Sequence, residues 1–594
     1  MDLIEFYSQR ISFFQSKEKE CIKKEKLFPF LRISALVLAA GSFFLLFKIN
    51  LLVAILVALV LIVIFIVIAQ KDAHNSREKE KYRLLITLNE NEINGLNGKN
   101  GFFSNGEQYK NIPHPYSNDL DIFGDTSLFQ SVNRTTLDKS SDVLADWLLH
   151  PAGTGEIKQR NEAVRELSQK IDWRQKIFCL GHAVDQKDKN ATRRLIQWLK
   201  KTKEFRFHKH LLLLCNFLTI ITLSTIALSF FFLPVFVPVL IYCVDLLVIT
   251  LTNSTVKTCH QEVTNNSSIL NSYSVIIGEI ENEKFTSPKL IALKQMLKTD
   301  GITASENIKK LSTIVNHFDY RYNIYIHFFL NTLLFWDIHQ VNKLLKWKRT
   351  NPDIEQWLHC VGQFEALSCF ANLYFNNPDW CFPEISDKNF LLDARMLGHP
   401  LIIKQRRVCN DFRITEPKVV ILTGSNMSGK STFLRTIGVN YILAMAGSCV
   451  CASGFRFSPI SVVSSIRIDD SLKDNTSLFY AELKKLGSII NMVESKEKIF
   501  FLLDEILKGT NSMDKHSGSK ALIKQFVQNK AAGVIATHDI SLTELAQEFP
   551  ESIDNYNFDI KIKDDELYFD YTLNKGVCTS LNATILMRKM GIRV

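Results

Sequence analysis

Lys430 and Ser431 close the run GSNMSGKST (Gly424 to Thr432), in which Gly424, Gly429, Lys430 and Ser431 fit the spacing GxxxxGK[ST]. Such a loop wraps phosphates with backbone N–H groups, and glycine is required where a side chain would fill the phosphates' space. The helix expected from Lys430 adds the positive end of its dipole. Lys430 is then placed to reach β- and γ-phosphates, and the Ser431 hydroxyl to bind Mg²⁺. A second apolar run, KIFFLLDEI (Lys498 to Ile506), ends in two acids. Asp504 suits Mg²⁺ held through water, and Glu505 suits orienting or deprotonating an attacking water. A third, GVIATHD (Gly533 to Asp539), ends in His538, a candidate γ-phosphate sensor. Phosphoryl transfer requires mainly positioning and charge neutralisation, so these groups form a minimal set for ATP hydrolysis with Mg²⁺.

The elements that must hold these groups follow from the local patterns. KVVILTGSNMSGKSTFLRTIG (Lys418 to Gly438) has the order strand, glycine loop, helix. From Lys418 onward short β-branched runs alternate with helical stretches, the mark of an α/β domain. Residues 83–209 and 253–395 instead repeat apolar residues at three and four, as in Asp142 to Pro151 and Asp353 to Phe375, which predicts helices. The chain has 594 residues, too many for one hydrophobic core. Its formal charge of +10 fits phosphate-rich partners or anionic lipid headgroups. The 12 cysteines are scattered, without CxxC or metal-ligand spacing, and read as free thiols of a reducing cytosol.

Two blocks are long and apolar enough for lipid. Leu27 to Phe47 and Leu51 to Ala69 flank a short break at Lys48 to Asn50, and each reaches the ~20 residues that cross a hydrocarbon core. Leu211 to Leu251 carries no Lys or Arg, and its one acid is Asp245. It is long enough for two spans broken near Phe232 to Pro238. Basic residues crowd the outer ends of both blocks, among them Lys23, Lys24, Lys26, Lys71, Arg77, Lys200 and Lys201. That asymmetry puts both ends of each hairpin on the cytoplasmic side of a bacterial-type inner membrane. Asp245 reads either as an intramembrane functional group or, since it lies close to the cytoplasmic end, as a residue reaching the interface. Ile324 to Trp336 is apolar but too short to span, and reads as a core or interfacial helix.

The motifs resemble the MutS family of DNA mismatch-repair ATPases. TGSNMSGKST is similar to that family's TGPNMGGKST, with Ser425 for Pro and Ser428 for Gly, around the shared Asn426–Met427 pair. RIDDSLKDNTSLFYAEL (Arg467 to Leu483) resembles its signature segment, FLLDEILKGTNSMD (Phe501 to Asp514) its LMDEIGRGTSTYD, and IATHD its ATHY/ATHF. The closing YTLNKGVCTSLNATILMRKMGI is also similar, so the resemblance covers residues 398–594, starting at GHPLI. More weakly, Leu120 to Pro151, Arg160 to Gln169 and Asp353 to Pro383 resemble the family's helical core. The resemblance implies that Gly424, Asn426, Gly429, Lys430, Ser431 and Thr432 form the nucleotide loop, and that Asp504 and Glu505 serve Mg²⁺ and water. It also implies that Ser477 contacts the γ-phosphate of the opposite subunit, so that a homodimer with composite ATP sites forms, with Asp514 near the same interface.

The expected fold is therefore an α/β P-loop NTPase domain of ABC/MutS type at the C-terminus, preceded by an all-α core and two transmembrane helical hairpins. The expected divisions are a cytosolic segment 1–26, hairpin 27–69, core 70–209, hairpin 210–252, core 253–395 and ATPase 396–594. The sequence departs from the family where that family reads DNA. A charged stretch and a membrane hairpin stand in place of the N-terminal mismatch-reading module, and the separation of the second hairpin from the Asp353 helices leaves little room for a DNA clamp. The expected activity is an ATP-driven conformational switch on a membrane, with DNA, through basic stretches such as Val341 to Arg349, and unidentified proteins as candidate partners. The alternative is an ABC-type transporter. Against it stand the absence of an LSGGQ-like signature and the short separation of Lys430 and Asp504.

Overall fold

The computed structural model describes residues 2–185, 197–198, 209–263, 267–299, 301–350, 354–425, 427–467, 478–508, 510–559, 561–563 and 566–577. Two very long helices come first, α1 (Leu3–Phe47) and α2 (Leu51–Leu96), running side by side. Asn50 starts α2 by accepting from the backbone N–H groups of Leu52 and Val53 at 3.0 and 3.3 Å, as an N-cap residue does. At ~1.5 Å per residue each helix is about 70 Å long, so the expected boundary between segment 1–26 and the first apolar run is not a break. One half of each helix is apolar and exposed, the other charged. The charged halves are tied by Lys79–Glu25 (2.7 Å), Arg32–Asp72 (3.3 Å) and Asn75 Nδ2 donating to the Cys21 carbonyl (2.9 Å).

Next come α3 (Asp138–Leu149), α4 (Thr154–Ser168) and α5 (Ile171–Asp185), then α6 (Lys209–Ser229) and α7 (Phe236–Val263). Leu3–Phe47, Leu51–Leu96, His210–Ser229 and Phe236–Val263 are long and apolar enough to cross a membrane, by length and composition. Of the two readings of Asp245, the one that reaches the interface is not met. The residue does not reach outward but is fully buried between α6 and α7, where it accepts from Thr222 Oγ1 at 2.7 Å. In apolar surroundings a carboxyl turns toward any available donor, and Thr222 is the one within reach.

The helical part continues with α8 (Ser267–Asn282), α9 (Ala304–Phe318), α10 (Ile324–Leu334), α11 (Trp336–Thr350) and α12 (Ile354–Asn376). On α11 the basic run turns Val341, Leu344 and Trp347 inward and leaves Lys343, Lys346 and Arg349 exposed. α12 is buried on nearly every side, with Trp357, Phe364 and Phe370 in the main core. A polar network crosses this core. Arg134 grips Glu92 from Nε and Nη2 at 2.6 and 3.1 Å, and Asn372 and Asn376 donate to the same carboxylate at 3.1 and 2.9 Å. Tyr7 on α1 donates to Asn376 Oδ1 (2.7 Å), and Asn89 on α2 pairs with Gln175 on α5 (3.0 Å). The charged ends of α1 and α2 are thus anchored in the helical core.

Apart from a two-residue antiparallel pair at Lys298–Thr299 and Ile302–Thr303, the described strands begin at Glu384–Ile385, earlier than the expected boundary at 396. That short strand joins β1 (Leu392–Leu397), β2 (Asn410–Ile414) and a later strand at Gly454–Phe457 in a four-stranded sheet. β3 (Val419–Gly424), α13 (Lys430–Ala446), β4 (Gly454–Phe457), β5 (Ser461–Ser465), α14 (Leu478–Glu494), β6 (Ile499–Asp504), α15 (Ser512–Gln528), β7 (Ala532–Thr537), β8 (Ile553–Phe558) and β9 (Leu573–Lys575) follow. Among the described residues a six-stranded sheet has the order β9-β8-β3-β7-β6-β5, parallel except for β9. β3, β6 and β7 are buried throughout, as parallel strands covered on both faces are. Their register sets Phe558 beside Gly424, Thr537 beside Thr423 and Ala536 beside Asp504, so the chemistry-bearing ends share one sheet edge.

Candidate active site

In open α/β sheets the crevice at the carboxyl ends of the strands is where ligands bind, and here β3, β6 and β7 all end there. Gly424 and Gly429 shape the loop after β3. Gly424 has φ +155°, and a Cβ on it would stand 2.8 Å from the Phe558 carbonyl oxygen. Gly429 has φ +101°, and a Cβ would stand 3.0 Å from the Tyr571 ring. Only glycine fits both positions without displacement. Between them, Ser425 is half-buried, Met427 (φ +69°) is exposed at the tip and Ser428 is buried. Asn426 lies outside the described residues.

Lys430 opens α13 and is 5% exposed. Its Nζ donates to the carbonyls of Gly424 (2.7 Å) and Ser425 (2.9 Å), which fixes the ammonium inside the loop's curve. Thr432, two residues on, is exposed. Ser431 Oγ donates to Asp504 Oδ2 at 2.5 Å. Asp504 is buried, and its Oδ1 has no hydrogen-bond partner among the described residues; nor has Ser428 Oγ. A hydroxyl, a carboxylate and an orphaned buried carboxylate oxygen are hard donors of the kind Mg²⁺ takes, with water and phosphate completing the shell.

Glu505 follows with φ +49°, its backbone N–H donating to the Ala536 carbonyl at 2.8 Å. Its carboxylate lies 3.6 Å from His538 Nδ1 and 4.0 Å from Lys508 Nζ. His538 is half-exposed just beyond β7. The next residue, Asp539, pairs with His516 on α15 at 2.7 Å. Asp514, two residues before His516, sits in the first turn of α15, where Asn511 Oδ1 caps its N–H at 2.9 Å. Ser477 lies outside the described residues, immediately before α14.

Three contributors carried no role in the sequence reading. Glu482 on α14 is 2% exposed and accepts from the backbone N–H groups of Leu507 (2.6 Å) and Lys508 (3.0 Å). Burial pushes its carboxyl above the ordinary range, opposed by those two donors. Glu505 and Leu507 (φ +60°) both hold left-handed backbone that non-glycine residues rarely adopt, so the loop needs such a clamp. His399 and Tyr571 line an open cavity of about 450 Å³ beside the loop, together with Glu505 and Lys430. Burial, with Arg435 and Arg407, pushes His399 down to about 4, so its ring is neutral at pH 7. Its Nδ1 accepts from the Leu401 N–H at 3.2 Å. The only sequence signal for Glu482 was its place in the quoted signature segment.

Replacing Glu482 with Gln turns one of the two accepting oxygens into a donor facing N–H groups. We expect turnover of nucleotide to fall by about tenfold or more while nucleotide affinity is kept, because sub-ångström misplacement of a reacting group is costly. Parallel measurement of kcat and nucleotide Kd checks this, since mere loosening of the fold would weaken both.

A family model of MutS domain V matches residues 420–589. Among curated relatives, the DNA mismatch repair protein MutS of Flavobacterium johnsoniae is 32% identical over 246 residues, 39% of this chain and 28% of that protein. The protein of the same name from Bacteroides thetaiotaomicron is 30% identical over 236 residues, 38% of this chain and 27% of its own. Human MutS protein homolog 4 is 28% identical over 249 residues, 39% and 26% of the two chains. The chain thus spans little more than a quarter of the length of the relatives it matches. The strand, loop and helix that begin at Val419 thus open a segment that matches MutS domain V, and over that part the chain is similar to the MutS family.

Proposed function

We propose that this protein is a membrane-anchored MutS-type ATPase, in which two copies close on ATP and reopen after hydrolysis. The observation that carries it is the meeting of Lys430, Ser431, Asp504, Glu505 and His538, from three separate strand ends, around one glycine loop of P-loop form. In this reading Lys430 exchanges the Gly424 and Ser425 carbonyls for the β- and γ-phosphates, and the loop's N–H groups and the start of α13 hold the remaining oxygens. Ser431 and Asp504 would hold Mg²⁺, which when bound neutralises phosphate charge. Glu505 takes the proton of the attacking water, and His538 faces the γ-phosphate beside it. Ser477 reaches the partner's nucleotide, which makes pairing part of the catalytic cycle.

The transmembrane hairpins α1–α2 and α6–α7 belong to the same proposal. Apolar residues such as Phe44, Leu45, Leu213 and Phe217 stand more than half exposed, a surface that hydrocarbon covers and water does not. The charged halves of α1 and α2 would carry motion between bilayer and core. DNA enters as a partner class through the relatives' names. The test of the catalytic reading is Mg²⁺-dependent ATP hydrolysis by the purified full-length chain in detergent. Activity lost on chelation and restored by Mg²⁺ supports it; absence of hydrolysis with Mg²⁺ present contradicts it.

A further inference from the structure

We propose that α10 lies flat in the headgroup layer of the bilayer that α6 and α7 cross, its exposed aromatic face turned to lipid. This rests on reading α6 and α7 as membrane spans. The eleven residues IYIHFFLNTLL carry no Asp, Glu, Lys or Arg, and at ~1.5 Å per residue they cover about half a hydrocarbon core. They are too short to cross it and too apolar for a water-facing helix.

Exposure falls on one side. Ile324 is 74% exposed, Tyr325 77%, Phe328 53% and Phe329 62%; at ~100° per residue these four occupy an arc of about 140°. The turn that leads into α10 adds Tyr322 and Tyr320, both exposed. The rest of the helix is seated. α10 rests against both α6 and α7, and Phe335 at its end is fully buried in a cluster with Cys215, Leu218, Val256 and Cys259. Those partners lie toward the start of α6 and the end of α7, the two ends flanked by basic residues.

The seat also fixes which face looks outward. Arg321 bonds Asp337 at 2.9 Å and also Asn253 on α7, while His260 on α7 pairs with Asp319 at 3.0 Å. The turn is therefore clamped to α7, and the aromatic arc cannot rotate inward without breaking these bonds. On α6 and α7, against which α10 packs, Leu213, Phe217 and Leu251 are exposed and apolar in their turn. The surface of α10 continues that of the spans, and a cover of one must reach the other. Tyrosines beside phenylalanines suit the boundary layer, where a ring meets acyl chain and a hydroxyl meets water.

The test is photo-crosslinking of full-length protein reconstituted in phosphatidylcholine–phosphatidylglycerol vesicles. A benzophenone-bearing phenylalanine is placed singly at Phe328, at Tyr325, at Leu247 on the exposed face of α7, and at Met513 on α15. The expected result is lipid adduct at 328, 325 and 247 and none at 513. Adduct at 247 but not at 328 or 325 overturns the placement of α10 and leaves the spans standing. No adduct at any position overturns both. Capture of a second copy or another protein from 328 and 325 in place of lipid also overturns it.

Discussion

Glu505→Gln will bind ATP and turn it over roughly 10²–10⁴-fold more slowly than the parent, the range for removal of a positioned general base. The amide keeps the size and the hydrogen-bonding reach of the carboxylate but cannot take a proton. Its backbone neighbours are untouched, since the bond from the Glu505 N–H to the Ala536 carbonyl and the clamp by Glu482 do not involve the Glu505 side chain. Lys430→Ala acts on a different term. Loss of a cation aimed at developing phosphate charge costs ~10²–10³-fold, and here the same cation is expected to bind ground-state phosphates, so affinity falls as well. Phosphate release and equilibrium nucleotide binding on both variants separate the two roles. Hydrolysis that survives both changes undiminished would remove these residues from the reaction.

Breaking the Glu92–Arg134 pair will produce the largest loss of stability. Glu92 is 3% exposed and the Arg134 side chain 10%, and the guanidinium also stacks over Phe103 at 3.6 Å from the ring centre. Glu92→Ala leaves that cation buried with its main partner gone, a change that costs about 3–5 kcal/mol. Asn372 and Asn376 lose an acceptor at the same time, and Asn376 is the residue whose Oδ1 accepts from Tyr7 on α1. Thermal unfolding of the two proteins in the same detergent measures the difference. A replacement of both members by apolar residues is expected to cost much less, since no charge is then stranded.

The same pair sets a pH dependence. Burial alone raises the Glu92 carboxyl, but Arg134 and the donors from Asn372 and Asn376 outweigh it and hold it below its ordinary value. A folded-state pKa below the unfolded one means this group's stabilisation is complete above the ordinary carboxylate value of about 4.3. It is lost as pH falls through the folded-state value. Acid sensitivity should therefore diminish in the apolar double replacement.

The sequence announced the loop more clearly than its supports. Gly424, Gly429, Lys430 and Ser431 are neighbours, so their spacing alone specifies a loop that closes on phosphates, and the apolar runs ending at Asp504 and His538 specify strand ends. What brings those ends to one edge is sheet order, with β7 between β3 and β6, and strand order is not written in any local pattern. Glu482 and Leu507 are neighbours only because α14 packs over the end of β6. His399 reaches the loop because the four-stranded sheet folds back beside β3. Asp245 left two readings open from its position along an apolar run, since depth says nothing of which neighbour a carboxyl will face. The unbroken length of α1 was hidden by its change from charged to apolar residues, a change of surroundings rather than of backbone.

The central claim is that ATP closes two copies of this chain on each other, and one measurement addresses it directly. Full-length Glu505→Gln in detergent is weighed by light scattering with no nucleotide, with ADP and with ATP, each with Mg²⁺. The account predicts a shift from one copy to two, or from a loose to a non-exchanging pair, with ATP alone, abolished by the added change Lys430→Ala. The same mass and exchange rate under all three conditions, in a protein that demonstrably binds ATP, would contradict it.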